Sequence, residues 1–175
     1  LPFYGSFFGP PRRSLCFVFF GAEEPGLLGS RHYVCRHETE LARCRFAMNI
    51  DLAGQRIGQD VLGVTGEKEA AEYLYSVMRE AGIGVMMKNT VWSGDSNSFA
   101  WKGVPSMTLD RDGFGMHTRF DTAKLISAAA LYEQSRLMAV LTENLANRER
   151  FPFARSVPES MREKLQREFE SSPTL

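Results

Sequence analysis

Phe17-Val-Phe-Phe-Gly-Ala-Glu-Glu-Pro-Gly-Leu-Leu-Gly-Ser-Arg-His-Tyr33 places two adjacent carboxylates between an apolar run and the start of a helix. The run stops at Gly21, Glu23 and Glu24 follow, and Pro25 with Gly26 opens a helix expected to reach Arg36, because proline is tolerated in a first turn. Strand ends are where α/β proteins place their chemistry. Two glutamates at such a point are costly unless something positive holds them, and a metal ion is the usual partner.

Working outward, residues 14–20 predict a buried strand, with Cys16 in the core. Residues 44–52 predict a second strand with Asp51 at its end, and residues 59–65 a third. Gly66 precedes a helix over residues 67–81 that carries Ala70, Ala71, Leu74, Val77 and Met78 on one stripe, and Gly82 ends it. Residues 85–88 and 103–109 read as short strands, with a polar turn and a helical turn between them at residues 94–102. Ser127 caps a long amphipathic helix reaching Leu145. Phe151-Pro-Phe153 anchors the chain before a charged helix over residues 158–169. Strands alternating with helices predict an α/β sandwich around a mostly parallel, mixed sheet.

The 175 residues suffice for one domain with a sizeable core. Apolar content of 43% and charged content of 24% exclude a disordered chain. Basic and acidic residues balance to zero net charge, which gives no electrostatic case for nucleic acid or an anionic membrane surface. No apolar run approaches the ~20 residues of a membrane helix. The three cysteines, Cys16, Cys35 and Cys44, fit neither a zinc knuckle nor a disulfide framework, and one disulfide stays open. Residues 1–13, which begin at Leu1 without methionine, read as a connector left by truncation or processing. Residues 14–150 read as the main domain and 151–175 as a helical tail.

Four side chains at strand ends or in loops carry metal or proton chemistry: Glu23, Glu24, Asp51 and His117. Zinc takes carboxylate oxygen and imidazole nitrogen, and a catalytic zinc leaves one position for water. Adjacent glutamates can divide the work, one ligating and the other taking a proton from water. The bland reading of the same residues is a solvated turn and an exposed histidine. His32 reads as a helix-packing or surface residue, His37 as an exposed loop residue, and Trp92 and Trp101 as packing residues.

Residues 19–31, Phe-Phe-Gly-Ala-Glu-Glu-Pro-Gly-Leu-Leu-Gly-Ser-Arg, closely resemble the signature of the co-catalytic zinc aminopeptidases. That family includes bacterial leucyl-type aminopeptidases and is related to glutamate carboxypeptidase and the glutaminyl cyclases. Asn49-Ile-Asp-Leu-Ala-Gly54 resembles its next metal-ligand strand. Asp95-Ser-Asn-Ser-Phe-Ala-Trp-Lys-Gly-Val-Pro-Ser106 resembles its pocket-lining segment, and His117-Thr-Arg-Phe-Asp-Thr122 its last histidine motif. The resemblance implies a three-layer sandwich, two zinc ions in a complete site, and removal of amino-terminal residues from a peptide substrate. It implies Glu23 as general base, Glu24 and His117 as ligands of one zinc, and Asp51 as ligand of the other. Asp121 and Thr122 are expected to fix the His117 loop through hydrogen bonds. The role of Asp95 stays open.

The family also uses a histidine in a His-x-Asp motif and a bridging aspartate upstream of the glutamate pair. The 22 residues before Glu23 contain no histidine and no acidic residue. The resemblance therefore implies an incomplete site and an incomplete sheet, whose uncovered edge and apolar surface favour self-association. Two other functions remain in play: a glutaminyl cyclase-like acyltransferase, and a non-catalytic peptidase-like binding module.

Overall fold

Ser106-Met-Thr-Leu109 alternates polar and apolar side chains, and that alternation sorts two packing layers onto the two faces of one sheet. The computed structural model describes residues 9–171. Its elements run α1 (Leu28–Arg36), α2 (Glu38–Leu41), β1 (Ala47–Ile50), β2 (Gly58–Thr65), α3 (Lys68–Glu80), β3 (Met86–Asn89), α4 (Ser96–Trp101), β4 (Ser106–Gly113), a 3-10 turn (Ala123–Leu125), α5 (Ala128–Asn147) and α6 (Glu159–Ser171). The sheet order is β1-β4-β2-β3. β1 pairs parallel with β4, Ala47 opposite Ser106 through Ile50 opposite Leu109. β2 pairs parallel with β3, and antiparallel with β4. The expected mixed, mostly parallel sheet is therefore present.

In the β2–β4 register Leu62 lies opposite Leu109 and Val64 opposite Met107. These four side chains share a face and pack under Ala70, Ala71, Leu74, Val77 and Met78 of α3 and Leu137, Leu141 and Leu145 of α5. Phe153 joins the same cluster from the segment after α5. On the other face Ser106 and Thr108 meet α4: Ser106 Oγ donates to Ser96 O at 2.9 Å, and the Ser96 and Thr108 hydroxyls are 2.7 Å apart. Apolar contact resumes beyond that polar strip, where Val34, Leu41 and Val104 form one cluster and Val91, Ala100, Val157 and Leu165 another. The result is three layers, helix on sheet on helix.

Both ends of α5 are tied. Ser127 Oγ accepts from the Ala130 amide at 3.4 Å. At the other end Arg13 Nη1 donates to Leu145 O at 3.0 Å, placing a cation where the helix carbonyls leave a partial negative charge. Ser127→Ala should lower stability by about 1 kcal/mol. The check is a lower urea midpoint with an unchanged slope.

Three expectations need correction. Residues 14–20 do not form a strand: they make no ladder, and Phe17 and Phe19 are 60% and 96% exposed. Strand propensity without a neighbouring strand leaves backbone groups to solvent, and β1 takes its ladder from β4 alone. Cys16 is accordingly exposed rather than in the core. His37 is not an exposed loop residue. It is half-buried, stacked on Tyr33 with ring centroids 4.2 Å apart, and its Nδ1 lies 2.9 Å from Tyr33 O. Residues 1–8 of the expected connector lie outside the described residues.

Candidate active site

The glutamate pair sits on a tight turn closed by its own backbone. Glu23 O accepts from the Gly26 and Leu27 amides at 3.0 and 2.7 Å, and Ala22 O accepts from Leu28 N at 2.9 Å. Ala22 and Leu27 both adopt left-handed backbone, φ +56° and +59°. Gly29 makes the turn possible: a Cβ there would stand 2.4 Å from Gly21 O. The turn leaves Glu23 half-buried and Glu24 exposed.

Asp51 follows the last residue of β1. Its Oδ1 accepts from the Leu52 amide at 2.8 Å, and Leu52 takes φ +48° to make that possible. The segment entering α4 comes very close: a Cβ on Gly94 would lie 2.8 Å from Asn49 Nδ2 and 3.2 Å from Asp51 Oδ2. Gly94 also has φ +98°, so glycine is required there on both counts. This approach sets Asp95 beside Asp51.

His117, at φ +58°, occupies the loop between β4 and the 3-10 turn. Its Nε2 lies 3.6 Å from Glu24 Oε2, with both side chains more than half exposed. Thr118 holds this loop: its Oγ donates to Gly115 O at 2.7 Å and accepts from Phe120 N at 3.2 Å. Asp121 enters through its amide on Thr118 O, and Thr122 through its carbonyl to Leu125 N.

The loops after β1 and β4 are stitched together. Ser127 N donates to Gly54 O at 2.8 Å, and Arg56 N donates to Leu125 O at 2.7 Å. Beneath them Gln134, 2% exposed, accepts from Gly54 N at 2.6 Å and donates to Asp60 Oδ1 at 3.0 Å. Asp60 in turn pairs with Arg111 at 2.8 Å.

Negative charge gathers around Glu23. Burial raises its carboxyl above the ordinary range, and the charges of Asp51, Glu24 and Asp95 push it the same way, while His117 opposes them. Asp95 is raised by burial and by Asp51, with the Ser30 hydroxyl opposing. A raised carboxyl binds its proton more tightly in the folded chain than in the unfolded one. Glu23 therefore costs stability above its folded pKa, and the cost fades as pH falls through that value. Asp51→Asn should lower the Glu23 pKa, and His117→Gln should raise it. Carboxyl NMR titration of Glu23 in the two variants checks both signs.

Glu24 and His117 are the pair whose spacing can be compared with that of zinc donors. Two neighbouring corners of a tetrahedral zinc with ordinary bond lengths stand about 3.4 Å apart. The Glu24–His117 separation suits such a pair. A catalytic zinc takes three protein donors, and among the described residues no group of three His, Cys, Asp or Glu side chains is placed to hold a metal ion. The described residues do not by themselves complete a zinc site.

Sequence reading did not find the buried polar layer behind Asp95. Ser30 Oγ and Ser98 Oγ are 2.8 Å apart, and Asp95, Ser96, Asn97 and Ser98 are all buried. The signal was the unusual polarity of residues 93–98 in a segment that closes against a sheet. The Asp60–Arg111–Gln134 network was equally unmarked, because its members are far apart in sequence.

The sequence matches the description of peptidase family M28 over residues 6–142. It is 31% identical over 120 residues to Aminopeptidase YwaD of Bacillus subtilis, a match that takes in 68% of this chain and 23% of that relative. Among solved structures it resembles the zinc aminopeptidase BSAP of Bacillus subtilis, with TM-score 0.64 and 23% identity over 81% of this chain and 38% of that one. It also resembles an aminopeptidase from Aneurinibacillus sp. strain AM-1, with TM-score 0.62 and 25% identity over 79% and 34%. The chain thus spans about a quarter of the curated relative and less than half of these structures. The match over residues 6–142 spans Glu23, Glu24, Asp51 and His117, and the chain belongs to peptidase family M28.

Proposed function

We propose that this chain is the part of a zinc-dependent aminopeptidase that carries the general base, acting on peptides with a free amino terminus. The observation that carries the reading is the turn at Ala22–Leu28. It half-buries Glu23 among three other carboxylates and leaves Glu24 facing His117. Glu23 takes the proton from the attacking water and returns it to the leaving amine, which a raised carboxyl does more readily near neutral pH than an ordinary one. Glu24, His117 and Asp51 are the metal ligands in this reading, with two zinc ions in the complete site.

The test is release of a chromophore from an aminoacyl substrate, with zinc, with chelator, and with the substrate amine acetylated. It is run on this chain and on any longer form encoded upstream of Leu1. Metal-dependent release that acetylation blocks supports the reading; chelator-insensitive release overturns it. A glutaminyl peptide assayed in parallel distinguishes the cyclase reading, which requires pyroglutamate as product.

A further inference from the structure

Arg31, early in α1, keeps its charged side chain out of solvent. It is 8% exposed and joins no ion pair among the described residues. Two backbone carbonyls hold it instead: Nη1 donates to Gly26 O at 3.5 Å, and Nη2 to Phe169 O at 3.3 Å. The guanidinium carbon lies 5.0 Å from the centre of the Phe169 ring. Gly26 belongs to the turn of the glutamate pair, its amide donating to Glu23 O. Phe169 lies in the last turn of α6, where carbonyls lack helical partners and carry partial negative charge.

The far end of this link is well seated. Leu165 of α6 is buried with Val91, Ala100 and Val157, and Trp101 Nε1 donates to Gln166 Oε1 at 2.7 Å. The Trp101 and Phe169 rings meet edge-on at 5.1 Å. The match to family M28 ends at residue 142, ahead of α6, so this support comes from a segment beyond the matched range.

We propose that Arg31 is a positioning residue that braces the turn carrying Glu23 and Glu24 against the carboxy-terminal end of α6. A guanidinium suits the task, because its planar fork donates in two directions from one rigid group and packs on an aromatic face. Taking the cation out of water is costly, and the carbonyls and the ring offset that cost only while α6 is docked. Opening either end strands a buried charge, so turn and helix hold each other. The turn needs support, since Ala22 and Leu27 both hold left-handed backbone. Ser30 adds a shorter tie, its Oγ donating to Leu27 O at 3.2 Å and lying 2.8 Å from Ser98 Oγ in α4. The consequence for catalysis rests on the reading of Glu23 as general base; the brace itself does not.

Amide hydrogen exchange on the full chain reads the brace without any need for activity. The Leu27 and Leu28 amides, which close the turn, are compared with those of β2, which is paired on both sides. Arg31→Lys should speed exchange at Leu27 and Leu28 about tenfold more than in β2, because an ammonium cannot serve both carbonyls with the same fork. Phe169→Leu, which removes the ring and keeps an apolar side chain, should speed the same two amides in the wild-type background and add little to Arg31→Lys. An equal rise in the turn and β2, full protection of the turn in Arg31→Lys, or additive effects of the two substitutions would overturn the brace. In a form that releases an aminoacyl chromophore, Arg31→Lys should lower kcat about tenfold with KM unchanged. A loosened turn with unchanged kcat would overturn the positioning role. Failure of the general-base reading shows separately, as a Glu23→Gln variant that keeps its rate.

Discussion

Glu23→Gln is expected to lower kcat for release of an amino-terminal residue by about 10²–10⁴-fold while raising the stability of the fold. The rate falls because the amide accepts no proton from the attacking water. Stability rises because Glu23 sits half-buried with the charges of Asp51, Glu24 and Asp95 all opposing its own. Removing one of four mutually repelling charges relieves the rest. The gain should be present at neutral pH and vanish in acid, once the wild-type carboxyl has taken up its proton. Paired measurements of kcat on an aminoacyl-chromophore and of urea midpoint across pH check both halves. A variant that keeps its rate removes Glu23 from the mechanism, and one that loses stability at neutral pH refutes the crowding of charge.

Gly29→Ala is expected to destabilise the chain by about 1–3 kcal/mol and to remove activity with it. The added methyl would meet Gly21 O at 2.4 Å, backbone against backbone, so no side-chain rotation relieves it. The turn must open, and Glu23 and Glu24 move with it. Gly84→Ala is the matched control: it has open space for a Cβ and no left-handed backbone, so its effect should be small. Denaturation midpoints for the two variants make the comparison, and equal losses would show that the Gly21–Gly29 approach does not hold the turn.

Local pattern carried the elements whose residues decide their own surroundings. The apolar stripe from Ala70 to Met78 formed the helix it predicted, and Ser127 capped the helix it was expected to cap. The run at residues 14–20 is strongly apolar too and formed no strand, because a strand depends on a neighbour that periodicity does not reveal. The site divides in the same way. Glu23 and Glu24 were legible because their motif is contiguous, and His117 because its motif resembles a known one. Gln134 was illegible: its role depends on reaching Gly54 and Asp60 at once, and nothing in the helix sequence marks it. Thr118 took the loop-fixing hydrogen bonds expected of the Asp121 and Thr122 neighbourhood, a shift of a few residues that only loop geometry decides.

The parallel pairing of β1 with β4 also orders events during synthesis. β1 leaves the ribosome before β2, α3, β3 and α4, yet its ladder comes from β4. Through that interval the nascent chain carries Ala47–Ile50 unpaired, with Asp51 following it and neither the Gly94 approach nor the Gly54–Ser127 bond yet available. Chains fold largely in the order they emerge, so the acidic site is assembled last, after α5 has been made. The same delay leaves the Ala47–Ile50 edge open to pairing with another strand until β4 has been made.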